Sequence, residues 1–143
     1  MRLSGNSYKV KTGRENFRTK PFFKYESGQF ATFDIPTILE RLKHEENWQK
    51  GELNSVILLK SPTIRVLLTL LHEDTEVIFY MSNDSATFEV VEGSLIMNIK
   101  NEFIVLNEGE ILTIDEKIKY SFHTVEETAF LLTLVSEQEF IKG

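Results

Sequence analysis

Short apolar runs broken by turn residues restrict this chain more than any other feature, and they are clearest over residues 76–99. There Glu76-Val77-Ile78-Phe79-Tyr80-Met81 meets the polar break Ser82-Asn83-Asp84-Ser85. Ala86-Thr87-Phe88-Glu89-Val90-Val91 follows, then the turn Glu92-Gly93 and the run Ser94-Leu95-Ile96-Met97-Asn98-Ile99. Runs this short, rich in Val, Ile, Phe and Tyr, form consecutive antiparallel strands. The same reading predicts strands over 55–60, 63–71, 103–106, 110–114, 119–123 and 128–135. About nine short strands at regular spacing, with no helix between them, point to an all-β sandwich or barrel.

One helix precedes them. Asp34 is suited to an N-cap, and Pro36 is tolerated in a first turn. Ile35, Ile38, Leu39 and Leu42 recur at helical spacing and make one apolar face. The helix is expected to end between residues 46 and 51, with Gly51 as its stop and Trp48 anchoring its exit onto the sheet. Residues 1–13 show no period and are expected to be poorly ordered. Phe17, Phe22, Phe23, Tyr25, Phe30 and Phe33 then follow among charges, suited to pack on the body or on a second subunit.

The 143 residues suffice for one domain, and 41% apolar composition supports a real core. The absence of cysteine removes disulfides, thiol nucleophiles and thiolate metal sites. No run approaches the length needed to cross a bilayer, and no apolar segment follows the N-terminal charges as in a secretory signal. A cytoplasmic protein is the expectation. Charge is uneven: residues 1–30 carry seven basic and two acidic side chains, a net of +5, so the remainder of a chain of net charge −6 carries −11. A basic arm on an acidic body admits a nucleic-acid-associated role, but no DNA-reading motif supports one, and a solvated leader folding back on the body is expected instead.

Gly93 and Gly109, with the strands on either side, resemble the small single-domain cupins of the RmlC-like jelly-roll family. The run Gly109-Glu110-Ile111-Leu112-Thr113-Ile114 and the later Thr128-Ala129-Phe130-Leu131-Leu132-Thr133-Leu134 are similar to the closing strands of such proteins. So are Leu58-Leu59-Lys60 and Arg65-Val66-Leu67-Leu68. The resemblance spans roughly 33–135. It implies an all-β, cupin-like jelly-roll barrel with one N-terminal α-helix, made by residues 34–143 behind an arm of residues 1–33. It also implies a homodimer. A typical cupin holds a divalent metal with three His and one Glu. Set on Gly93 and Gly109, those positions fall on Tyr80, Ser82, Ala86 and Tyr120. Alanine cannot ligate, and neutral Tyr and Ser are poor ligands, so no metal and no cofactor is expected.

With no metal, Tyr80, Ser82 and Tyr120 are the candidates to line a ligand cavity, joined by Phe88, Met97 and Phe122 and, depending on strand parity, Thr133. The plainer alternative is that the tyrosines fill the barrel themselves. The three histidines assemble no site by spacing. His72 with Glu73 and Asp74 reads as a surface turn, because adjacent strand residues point to opposite faces. His44 flanks the helix. His123, three residues from Tyr120, falls on the opposite face of an unbulged strand. No catalytic residue is assigned. The expected role is a small-molecule-binding or regulatory module. The enzymatic alternative is a metal-independent isomerase or epimerase on a sugar or small acid, with Tyr120 or Tyr80 as acid and His123 as base.

Overall fold

The computed structural model describes residues 8–11, 30–79 and 84–137. Its elements are β1 (Tyr8–Lys11), α1 (Ile35–Lys43), α2 (Glu46–Gln49), β2 (Asn54–Lys60), β3 (Ile64–Leu71), β4 (Thr75–Phe79), β5 (Ser85–Glu92), β6 (Ser94–Ile99), β7 (Glu102–Asn107), β8 (Ile111–Ile114), β9 (Tyr120–His123) and β10 (Thr128–Val135). The strands form two five-stranded sheets, ordered β1-β4-β9-β6-β7 and β2-β3-β10-β5-β8. Sequential strands often sit in different sheets, so the chain crosses repeatedly between them, as a jelly roll requires. The nine strands expected from residue 54 onward are all present. β1 is an addition: it runs parallel to β4, with Val10 opposite Val77, inside a segment expected to be poorly ordered. Its polar-apolar alternation spans too few residues to stand out, and the β4 edge supplies the partner that the segment itself lacks.

The strands alternate as half-buried strands must. Phe88, Phe122, Phe130, Met97, Leu95 and Leu132 are fully buried between the sheets. Phe88 meets Phe122 edge-on at 5.3 Å between ring centroids, and Phe130 lies 5.4 Å from Phe88 and 5.5 Å from Phe122. Edge-to-face aromatic packing of this kind adds about 0.5–1.5 kcal/mol per pair beyond the area buried.

A second core lies outside the barrel. Ile38, Leu39, Leu42 and Trp48 pack on Val56, Leu58, Leu68, Leu70 and Ala129, so the helices cover the outer face of the β2-β3-β10 side. Asp34 caps α1 by accepting from the Thr37 amide at 3.2 Å. The helix stops earlier than expected, at Lys43, and a separate four-residue helix follows. The cause is a strand residue. Asn54, fully buried, donates to the Leu42 carbonyl at 3.0 Å and to Glu45 Oε1 at 3.1 Å. Its Oδ1 accepts from Asn47 Nδ2 and from the Ser55 amide, both at 3.0 Å. Asn54 thus adds a second donor to the Leu42 carbonyl, which also accepts from the Glu45 amide at 3.3 Å, and fastens the end of α1 to β2. Lys43 adds contacts from the same helix end to Glu92 at 3.5 Å and Glu127 at 3.2 Å.

His72 belongs to this junction, which corrects its reading as a surface-turn residue. Its ring stacks on Trp48 at 3.4 Å and 11°, and Nε2 lies 3.2 Å from the Trp48 carbonyl. The apolar ring of Trp48 recruits the imidazole that Glu73 and Asp74, both exposed, leave behind. Burial pushes the His72 pKa below 6.5, against the upward pull of the Trp48 and Glu52 backbone and of Glu127 and Glu73.

Two outcomes follow. Gly93 sits at φ +82, and a Cβ there would press into Thr128 Cα at 2.9 Å and the Glu127 carbonyl. Gly109, at φ +83, faces open space. Gly93→Ala should therefore cost about 3 kcal/mol by strain plus overlap, and Gly109→Ala about 1 kcal/mol by strain alone, measured by urea unfolding. Equal costs would refute the close approach. For His72, the folded pKa lies below the unfolded one, so the unfolded chain takes up the proton first. Its contribution is full above 6.5 and is lost as pH falls towards the folded value. Lowering pH from about 7.5 to about 5.5 should reduce the urea midpoint of the native protein more than that of His72→Phe, which keeps a ring on Trp48. The same loss in both would remove His72 as the cause.

Candidate functional site

The site is the end of the barrel where β4 passes to β5. On the β9 side, Phe79, Tyr120 and Ile99 lie in register across β4, β9 and β6. On the facing sheet, Lys60, Arg65, Leu134, Ala86 and Ile114 form one row across β2, β3, β10, β5 and β8. Leu134, Ala86 and Ile114 belong to the interior core, and so do Tyr120 and Ile99. Tyr120 and Ile99 on one sheet, and the row through Leu134, Ala86 and Ile114 on the other, therefore face the inside of the barrel.

Tyr120 closes this end. Its ring stands edge-on to Phe88 at 5.7 Å. Burial pushes its phenol well above the ordinary 10.0, and the charge of Asp84 pushes it further. It stays a neutral hydroxyl at physiological pH, able to donate one hydrogen bond and to accept others.

Arg65 is the residue that sequence reasoning missed. Val66 packs on the helix side, and Leu71 faces the interior. Alternation along β3 therefore turns Arg65 inward with Leu67, Thr69 and Leu71. Its Nε is shielded from solvent. The signal was present: a single cation inside the apolar run Ile64-Arg65-Val66-Leu67-Leu68, at the parity of the interior residues. The other inward positions of β3 are Leu67, Thr69 and Leu71, so Arg65 is the one ionisable side chain on that face of the strand.

The expected lining separates into three groups. Tyr120 is at the mouth. Phe88, Met97 and Phe122 lie deeper, buried completely, and form the floor beneath it. Thr133 lies opposite Val66 and Thr87, on the outer face, and does not line the barrel. Tyr80 and Ser82 lie outside the described residues. His123 is paired with Glu76 and Ile96 and faces away from Tyr120 and Phe122, so the acid–base pair of a metal-independent isomerase is not assembled.

Of the four positions at which the resemblance sets metal ligands, the described ones are Ala86, which has no donor atom, and Tyr120, whose neutral phenol is a poor ligand. Among the described residues no group of three or more His, Asp or Glu side chains could hold a metal ion. Among them, too, no helix is long and apolar enough to cross a membrane.

No protein-family model and no curated protein matches the sequence. Solved structures do match. A Streptococcus pyogenes protein of unknown function aligns with TM-score 0.57 at 20% identity, over 61% of this chain and 76% of its own. An RmlC-like cupin from Shewanella frigidimarina aligns with TM-score 0.56 at 16% identity, over 58% and 75%. A protein from Thermus thermophilus aligns with TM-score 0.58 at 12% identity, over 68% and 93%. With the two-sheet topology and the interior rows described above, these matches show that the chain has the RmlC-like cupin jelly-roll fold.

Proposed function

We propose that this protein is a small-molecule-binding or regulatory module that works without a catalytic metal, and that its mouth takes a small organic acid. Arg65 carries the reading. A guanidinium on the interior face of a barrel, one row above a floor of Phe88 and Leu132, sets a fixed positive charge beside apolar walls, a combination suited to an acid with a small apolar body. Its planar fork matches a carboxylate in two parallel hydrogen bonds. Tyr120 adds a neutral hydroxyl suited to a ligand oxygen, and Asp84 adds a carboxylate suited to a ligand hydroxyl. Apolar walls with a few convergent polar groups are the usual composition of a small-molecule site.

Thermal unfolding with succinate, malate, citrate and inorganic phosphate tests this. An organic acid at a hundredfold its Kd should stabilise the native protein by about 2.7 kcal/mol, roughly 10 °C in Tm. Arg65→Gln should abolish the shift, Arg65→Lys should keep part of it, and Tyr120→Phe should weaken it about tenfold in Kd. A native protein that no organic acid stabilises, or an Arg65→Gln variant that responds equally, would overturn the reading. A shift with phosphate alone would move the ligand class to inorganic anions.

A further inference from the structure

We propose, resting on the acid-binding role given to the mouth above, that its ligand is a dicarboxylic acid, with one carboxylate held by Arg65 inside the barrel and the other by Lys60 at the rim. Lys60 ends β2 and lies directly opposite Arg65 of β3, so the two cations share one face of the sheet. A bulge puts Lys60 there. Carried straight on from Ile57 opposite Leu67, the ladder would set Lys60 opposite Ile64, at the outer parity of Val66, which packs under the helices. Instead the register shifts between Ile57 and Leu59, Leu58 turns into the helix core, and Lys60 falls level with Arg65. Bulges re-aim side chains in this way and are frequent at barrel rims and beside functional sites.

The hairpin does not depend on this pair. Ser61 closes it: its amide donates to the Ile64 carbonyl at 2.8 Å, and its hydroxyl accepts from the Ile64 amide at 3.0 Å. With Ser61 and Ile64 hydrogen-bonded, Lys60 and Arg65 form the next, non-hydrogen-bonded pair, where opposite side chains come closest, with Cβ atoms about 5 Å apart. Like charges so placed destabilise a strand pair, and an anion seated between them reverses the sign. The two cations stand at different depths. The Arg65 Nε is shielded from solvent, whereas Lys60 is exposed. Two carboxylates on a short carbon chain reach both depths, and a compact anion that carries its charge at one point does not. The negative group of the mouth stands apart from them. Asp84 immediately precedes β5, two strands away from β3, or about 10 Å at the usual strand spacing. Its charge acts on Tyr120 of the facing sheet. A bound diacid is thereby oriented, with its carboxylates towards β2 and β3 and its carbon chain along Leu134 and Ala86, which lie next in the same row.

Isothermal titration calorimetry of the full chain with succinate and with succinamate tests this, because the two acids differ in one charge and little in shape. Succinate should bind at least about tenfold more tightly. Lys60→Gln, at an exposed position, should abolish that preference by weakening succinate alone, and it should not lower Tm, since it removes a like-charge contact. Arg65→Gln should weaken both acids. Raising NaCl from about 50 to about 200 mM should weaken succinate more than succinamate. Equal affinity of the native protein for the two acids would overturn the proposal while leaving the acid-binding role standing, and binding of neither would remove both. A preference for succinate that survives in Lys60→Gln would also overturn it. So would inorganic phosphate that binds as tightly as succinate.

Discussion

Two sheets can share a core only if the large side chains of each fill the gaps of the other, and in this barrel Phe88, Phe122 and Phe130 do that. They come from β5, β9 and β10, so one aromatic cluster ties both sheets together. It also sets the parity of three strands at once. With Phe122 inside, Tyr120 must be inside and His123 outside. With Phe88 inside, Ala86 must be inside too. Leu132 faces in beside Phe130, and its pairing with Leu67 carries the same parity to Arg65 two residues earlier. A register slip of one residue would bury His123 and Glu89 and expose the ring cluster, at a cost far beyond the stability of a domain this size. The chemistry available at the mouth is therefore a by-product of how three phenylalanines pack.

The outer faces of the sheets are treated differently. The β2-β3-β10 face is covered by α1 and α2, whose fit depends on Asn54. That residue makes every hydrogen bond available to a buried amide side chain of this geometry: two donated, two accepted. Full satisfaction is what makes a buried amide tolerable, and it is also what makes it specific, because no other helix end position would meet both of its ends. The facing sheet has no such cover at β6 and β7 among the described residues. A barrel of short strands leaves an apolar outer surface behind; the helices cover it on one sheet, and on the other Phe103 and Val105 stay exposed.

Strands were legible because their signal is local. Residues 94–99 and 128–135 could be bounded from local sequence, since each is a short, mostly apolar run set between turn or polar residues, Gly93 and Lys100-Asn101 in one case and Glu127 and Ser136 in the other. The cap at Asp34 was legible for the same reason. What stayed hidden depends on residues distant in sequence. The break after Lys43 is imposed by Asn54 from the next element. The burial of His72 is imposed by Trp48, 24 positions earlier. Four residues of β1 are recognisable only beside β4. Arg65 is the instructive case: its parity was readable, but which face of β3 lies inside is decided by the helices that cover the other one.

Under the proposed function, Ala86 and Tyr120 at two of the positions where a cupin carries metal ligands are best understood together with Arg65. In a cupin that holds a divalent cation, the ion supplies the positive charge at the mouth, and an anionic ligand meets it directly. Replace one carboxylate donor by Ala86 and an imidazole by Tyr120, and that charge has no support. An interior guanidinium restores a single positive charge from the opposite sheet, fixed on a β-strand and indifferent to pH. A guanidinium polarises less than a divalent ion, and the proposed role of such a mouth is accordingly to hold an acid. The outward turn of His123 points the same way, because the one imidazole near this strand is placed where it cannot reach a bound ligand. A neutral phenol, a fixed cation and an aromatic floor are the parts on which the proposed binding role rests.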